Sequence, residues 1–392
     1  MIIFVFIPFI LSQFNYFNSV KISSKPAKVE ISGFKHMLCV AEVSDSINSF
    51  PPHLVIYSIG QSRVGAIQTI TGPCYSLGTQ ISTFRFGFYA TAPASAFRWG
   101  NPGPLLYRII PPVFTMQRLS DFPQIPYGES FATSNKGNLQ ILCSPFSSSD
   151  CIILTENNIT KLHSPSSSID LFGHGVAVSK NGSIIITISR DIESGNAIVN
   201  FFSNTSSKIT SFTVPHSPAI TSRTKQPIIQ FLNERQVGIV FPEIHKFIIY
   251  KYSSFDGWSV MKELETPIES FTQIDQNIIS VTSEGTVIFY DRLSYITREE
   301  IIVPKQIQKN GKFTKITSGK DWFAILEESP DQRVIHVYTS RHSPLLRGIA
   351  IFVIISLIAI IGIVLKENIN VNKVMKKINR KRNQYKYSFK SI

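Results

Sequence analysis

Cysteine, tryptophan and charge are all scarce in this 392-residue chain: four Cys, three Trp, and 17% of residues charged. Four cysteines (Cys39, Cys74, Cys143 and Cys151) are too few for a disulfide framework. Cys143 and Cys151 flank the Ser-rich stretch SPFSSSD between two apolar runs, where they could face each other across a hairpin. Buried free thiols are the expectation, and the redox compartment stays open. The catalytic vocabulary is missing as well. There is no phosphate-cradling Gly loop ending in Lys-Ser/Thr, no HisGluXaaXaaHis and no CysXaaXaaCys. GlyGlnSerArgValGly (60–65) resembles a nucleophile elbow but is one residue too long. The eight His (His36, His53, His163, His174, His216, His245, His336 and His342) show no metal-ligand spacing, so satisfied or exposed imidazoles are expected. Hydrolytic or redox catalysis therefore has no support, and neither cofactor nor metal is expected.

The net charge of +13 is unevenly distributed. From Lys366 onward there are nine Lys/Arg and one acid, Glu367. A nucleic-acid-binding domain would carry such charge in its folded part, so nucleic acid is not an expected partner. Lys366, Lys373, Lys376, Lys377, Arg380, Lys381 and Arg382 form a solvated flank suited to anionic lipid, worth about 1 kcal/mol per cation near the surface.

One long apolar run is present. Gly348 to Leu365 reads GIAIFVIISLIAIIGIVL, with Ser356 as its one polar side chain. As a helix it rises about 27 Å, the hydrocarbon thickness of an endoplasmic reticulum (ER) bilayer. It shows no polar stripe. A single transmembrane helix over 348–365 is expected, followed by a basic tail over 366–392. At the other end, residues 1–20 form an apolar segment. Ile2 to Leu11 suits a signal-peptide core, although no Lys/Arg precedes it and the cleavage pattern around Ser19 is poor. An uncleaved extension or a first β-strand are the alternatives.

Between 21 and 344 the texture is uniform. Short runs such as HLVIYSI (53–59), CIILT (151–155), SIIITIS (183–189), KFIIYKY (246–252) and VIHVYT (334–339) alternate with Ser, Asn, Gly and Pro clusters. No amphipathic helix appears, so the region is all-β. A repeat lies beneath. SNKGN-LQIL (134–142), SKNGS-IIIT (179–187) and TSEGT-VIFY (282–290) each place a Gly turn before an apolar strand. Gly137, Gly182, Gly238 and Gly285 suggest a period of roughly 40–55 residues, the spacing of propeller blades. Division by seven gives about 46 residues per blade, so a seven-bladed β-propeller is expected; a pair of β-sandwiches would need no period. The propeller is degenerate relative to WD repeats. No Trp-Asp pair occurs, Tyr290-Asp291 is the nearest, and His174-Gly175 weakly echoes a repeat's Gly-His. Pro- and Gly-rich stretches at 90–105 and 110–113 read as inter-strand loops.

Residues 25–41 (KPAKVEISGFKHMLCVA), a polar loop and then HLVIYSI resemble the first blade of the prolactin-regulatory-element-binding family of ER exchange factors. VIHVYTSRHSP (334–344), running into the apolar span, is similar to that family's last strand. The resemblance implies a cytosolic WD-repeat-like propeller, anchored in the ER membrane, that loads GTP onto the Sar-type GTPase initiating the COPII coat. The family's Gly-rich first-blade loop is replaced here by EVSDSINSF (42–50), which has no glycine. On this resemblance Asp45, Ile47 and Asn48 are the GTPase-contact candidates.

Topology pulls the other way. Basic residues mark the cytosolic flank of a span, and most of them follow this one. With a signal peptide, that predicts a type I protein at the plasma membrane or another secretory membrane. Its luminal or extracellular propeller would bind protein or glycan. The sequons at Asn158, Asn181 and Asn204 would then be glycosylation sites; three in a chain so rich in Asn, Ser and Thr do not decide the matter.

Overall fold

The computed structural model describes residues 14–340 except 23–27, 44–52, 61–62, 72–75, 94–103, 119–124, 157, 206, 216–224, 276, 292–293, 295–296, 303–310 and 331. Beyond 340 it describes 356, 359–363, 365–366 and 369–380.

The first strand, β1 (Asn15–Ile22), stands apart in sequence from the sheet it completes. Blade 1 is β2 (Lys28–Phe34), β3 (Met37–Val43), β4 (His53–Ile59) and β5 (Val64–Thr71). Blade 2 is β6 (Ile81–Phe84), β7 (Gly87–Ala92), β8 (Leu105–Ile110) and β9 (Val113–Arg118). Blade 3 is β10 (Ser130–Thr133), β11 (Leu139–Ser144), β12 (Asp150–Thr155) and β13 (Ile159–Leu162). Blade 4 is β14 (Ile169–Val178), β15 (Ile184–Asp191), β16 (Ala197–Ser203) and β17 (Lys208–Val214). Blade 5 is β18 (Ile228–Asn233), β19 (Gln236–Phe241), β20 (Lys246–Ser253) and β21 (Gly257–Glu265). Blade 6 is β22 (Ile268–Ile274), β23 (Asn277–Thr282), β24 (Thr286–Asp291) and β25 (Thr297–Ile302). Blade 7 is β26 (Lys312–Ser318), β27 (Trp322–Glu328) and β28 (Arg333–Thr339), with β1 paired to β28 as its outer strand. Each blade is an antiparallel a-b-c-d sheet, and β1 closes the ring by giving the last blade a strand from the start of the chain. The expected boundary between residues 20 and 21 falls inside that strand. Cleavage after Ser19 would remove most of it. The apolar stretch Ile2–Leu11 lies outside the described residues.

Seven buried clusters hold the ring, one at each blade-to-blade boundary. Cys39, Ala41, Leu54 and Ile56 of blade 1 meet Phe88, Ala90, Tyr107 and Ile109 of blade 2. Ile188, Val199 and Phe201 of blade 4 meet Val237, Ile239 and Tyr250 of blade 5. Blade 7 meets blade 1 around Trp322, whose indole N–H donates to the Lys35 carbonyl at 2.6 Å. Middle strands are covered on both faces, which is why MLCVAEV and DCIILT read as nearly unbroken apolar runs. Outer strands have one wet face, and β17 alternates accordingly.

The predicted period was right as an average, but two of its four markers sit elsewhere in the blade. Gly137 and Gly182 occupy equivalent a–b turns, with φ of 72° and 80°. Gly285 makes the same turn, its N–H donating to the Thr282 carbonyl at 3.1 Å, but between the b and c strands. Gly238 lies inside strand β19, under the rings of Phe247 and Phe271. True spacing varies: 39 residues from Ser130 to Ile169 and 59 from Ile169 to Ile228. His174-Gly175 lies in the inner strand β14 rather than in a connection, so the echo of a WD repeat does not hold there. Of the stretches expected as loops, 90–105 and 110–113, the residues 90–92, 105, 110 and 113 belong to strands; Pro111-Pro112 is the c–d turn of blade 2, and 93–104 joins its b and c strands.

The expectation of buried free thiols at Cys143 and Cys151 is overturned. The two lie opposite each other on β11 and β12 and are disulfide-bonded. Strand register places them side by side, and Gly173, at φ 84°, packs so closely that a Cβ there would stand 2.6 Å from either sulfur. Cys39 is a buried free thiol, and Cys74 is outside the described residues.

The transmembrane helix expected over 348–365 is not supported as an observed element. No helix among the described residues is long and apolar enough to cross a membrane. Within that stretch 356, 359–363 and 365 are helical, and Gly348 is outside the described residues. Residues 369–380, assigned from sequence to the tail, are also helical, and the charges at Lys366 and Glu367 interrupt the apolar run before them. Contacts divide the chain into one unit ending at Ser340 and a second from Arg341.

Candidate functional site

All seven inner strands run the same way, so the propeller has two distinct faces. One carries the a–b turns, the other the b–c connections. The inner strands enclose a channel with a cavity of about 920 Å³ towards the b–c side and one of about 480 Å³ at the a–b side.

Side chains that alternate out of the packed clusters line the b–c mouth. Lys28 and Lys315 both reach the buried carboxylate of Glu30, Lys28 at 3.5 Å, and Lys28 also donates to the Thr79 carbonyl at 2.7 Å. Burial lowers the Lys28 pKa, Glu30 pulls it back up, and Lys315 lowers it again. Lys225 pairs with Glu269 at 2.5 Å. A hydrogen-bonded string crosses the mouth. Gln80 of the blade 2 entry donates to Gln226 at 2.8 Å, and Gln226 donates at 3.2 Å to the Glu129 carbonyl and to the Ser130 hydroxyl. Ser130 in turn donates to the His174 carbonyl at 3.0 Å.

His174 itself is fully buried, and neither ring nitrogen has a hydrogen-bond partner. The Phe146 ring meets it edge-on at 5.4 Å. Burial pushes its imidazole down to about 4, so it is neutral at pH 7. Burial also raises the Glu129 carboxyl, against hydrogen bonds from the Phe146 N–H and Ser144. A second pairing, His336 Nε2 to Glu327 at 2.8 Å, has the look of an acid–base dyad, but both side chains are buried inside blade 7 and line neither of these two cavities. Desolvation raises the Cys39 thiol far above the usual range, and the residue is fully buried. Among the described residues no cluster of three or more His, Cys, Asp or Glu could hold a metal. These groups tie strand to strand.

Asp45, Ile47 and Asn48 lie outside the described residues. Their surroundings are described. Residues 44–52 join β3 to β4, making this the b–c connection of blade 1. Its base is pinched by Glu42 and His53, opposite each other in register and 3.2 Å apart. Sequence reading passed over that pair, counting His53 among scattered imidazoles. The signal available was a carboxylate and an imidazole flanking one polar loop. The sequon residues Asn158, Asn181 and Asn204 are all exposed and all on turns of the a–b face, in blades 3 and 4. In the tail, Leu365, Lys366, Lys373, Lys376, Lys377 and Arg380 are helical and exposed, whereas Lys381 and Arg382 are outside the described residues.

The fold has a counterpart among solved structures. The β-propeller domain of Cps50 (Swd1) from Myceliophteria thermophila superposes with a TM-score of 0.55 at 10% identity, covering 81% of this chain and 99% of that one. This chain is a seven-bladed β-propeller. No family model matches it, and no curated protein does. At such low identity the likeness shows the fold alone; the propeller's face chemistry has to be argued from its own residues.

Proposed function

We propose that this chain is a membrane-anchored propeller that promotes nucleotide exchange on a Sar-type small GTPase at the ER. The observation that carries this reading is the position of the 44–52 connection. Both of its ends are on the b–c face, and the last blade strand, β28, ends at Thr339 on the a–b face. A span beginning at Gly348 would therefore follow from one face and leave the other free for a soluble partner. The polar side chains of Asp45 and Asn48, with Ile47 as a wedge, would open a nucleotide site by competing for the magnesium shell. No covalent bond is made. GDP release from a Sar-type GTPase, followed with and without the full-length chain, tests it. Acceleration is expected, together with its loss in a combined Asp45→Ala, Ile47→Ala, Asn48→Ala variant.

A specific observation favours a second reading. Cys143 and Cys151 are disulfide-bonded, and disulfides persist mainly in oxidising compartments. The bond fits a luminal or extracellular propeller that binds protein or glycan, with sugar on Asn158, Asn181 or Asn204. Protease added to sealed microsomes separates the two. Digestion of the propeller from outside supports the exchange factor; protection with glycosylation supports the receptor-like protein.

A further inference from the structure

The a–b turns carry a repeated charge. Six of the seven hold an exposed Lys or Arg: Lys35, Arg85, Lys136, Lys180, Arg235 and Lys320. The turns of blades 1 to 4 contain no acid; Glu234, Asp275 and Asp321 sit in those of blades 5 to 7, and Glu156 and Asp256 in outer c–d turns. Neighbouring turns are bonded to each other. The Arg85 N–H donates to the Asn135 carbonyl at 2.6 Å, Asn135 to Lys180 at 3.0 Å, and Lys320 to Lys35 at 3.0 Å. The cations are thus held in a fixed arc. Beside it, the lower end of blade 2 exposes three apolar side chains, Phe86 at 50%, Val113 at 62% and Phe114 at 46%. By contrast, the b–c connections hold Glu193, Glu243 and Glu284 and no Lys or Arg among the described residues.

The chain also leaves the propeller at this face, where the Ser340 N–H donates to the Asp321 carbonyl in the a–b turn of blade 7 at 2.9 Å. Seven residues then separate Ser340 from the apolar run at Gly348, a reach of at most about 29 Å. We infer that the a–b face docks on an anionic lipid surface. Lys35, Arg85, Lys136 and Lys180 lie against lipid phosphates, and Phe86, Val113 and Phe114 enter the headgroup layer. Interfacial aromatics flanked by cations are the chemistry that such a surface selects. This inference rests on the membrane-anchored reading.

The test is amide hydrogen exchange on the full-length chain in nanodiscs of phosphatidylcholine alone or with phosphatidylserine. Exchange in 84–87, 134–138 and 179–183 should slow by about threefold or more with the anionic lipid, while 192–196 and 282–285 stay unchanged. Raised salt should reverse the effect. An Arg85→Glu, Lys136→Glu, Lys180→Glu variant should lose it while keeping the same exchange elsewhere. Equal exchange in both discs overturns the inference, as does a glycan on Asn181, which would hold this face off the lipid. Carbonate extraction of the full-length chain from cell membranes checks the anchor separately. If the chain is extracted, co-sedimentation with phosphatidylserine vesicles decides the docking by itself: binding upholds the face without the span, and no binding overturns both.

Discussion

The two faces of the propeller are built on different terms. Connections on the a–b face are two to five residues long, and those on the b–c face run from three to twelve. The a–b turns bond to one another and to Trp322. The b–c side is secured by other means, with a disulfide at the tip of blade 3, the Gln80–Gln226 string and the Glu42–His53 pair at the base of its longest blade 1 connection. Short turns bonded in a ring fix where each blade begins, whereas long connections leave chain available for recognition. On the function proposed above, one face would seat the molecule and the other would meet a partner.

The largest effect should come from the a–b side. Trp322→Ala removes the largest fully buried side chain, together with its bond to Lys35. Urea unfolding should show a loss of about 3–5 kcal/mol. A loss below about 1 kcal/mol would mean that the ring is not closed there. The b–c side should be the pH-sensitive one. Folding holds His174 neutral, with a pKa of about 4, and the unfolded chain takes up a proton near 6.5. Acid therefore favours unfolding. Stability should fall from about pH 6.5 towards pH 4, by roughly 2–4 kcal/mol in all. In thermal melts, His174→Phe should flatten that fall and cost little at pH 7, since neither ring nitrogen has a partner to lose.

The b–c side also depends on its disulfide. Cys143→Ser with Cys151→Ser should cost about 2–3 kcal/mol. Thiol titration of the unreduced, denatured chain should find Cys39 and Cys74 reactive, and four reactive thiols would remove the bond from the account. The smallest effect compares one turn on two faces. Gly137 and Gly285 both need positive φ, at 72° and 91°. Alanine at either should cost about 1 kcal/mol. The cost should be greater at 137, where the added Cβ meets the Phe84 ring at 3.0 Å. Equal costs would weaken the claim that the a–b face is the tighter one.

Much of the architecture was legible in the sequence. β-Branched runs punctuated by turns revealed the strands, and mean spacing revealed the blade number. The position of a turn within its blade was not legible, because SNKG and TSEG obey the same local rule whichever strands they join. Two-residue a–b turns such as Lys35-His36 and Glu234-Arg235 contain no glycine and gave no signal, although Lys35 adopts φ 50°. The closing strand was hidden because β1 pairs with a segment more than 300 residues away. The Cys143–Cys151 bond depended on register, which spacing alone leaves open. The basic arc left no local signal for a similar reason: its successive members lie 44 to 85 residues apart and gather only when the ring closes.

On the proposed function, the b–c face acts on a small GTPase through the 44–52 connection while the opposite face is turned to the membrane. GDP release from a Sar-type GTPase measures this most directly, using the full-length chain in detergent, the Asp45/Ile47/Asn48 alanine variant and the Arg85/Lys136/Lys180 charge reversal. The account predicts faster release with the parent chain and with the charge reversal, and the basal rate with the alanine variant. Basal release with the parent chain, or acceleration that survives the alanine substitutions, would contradict it.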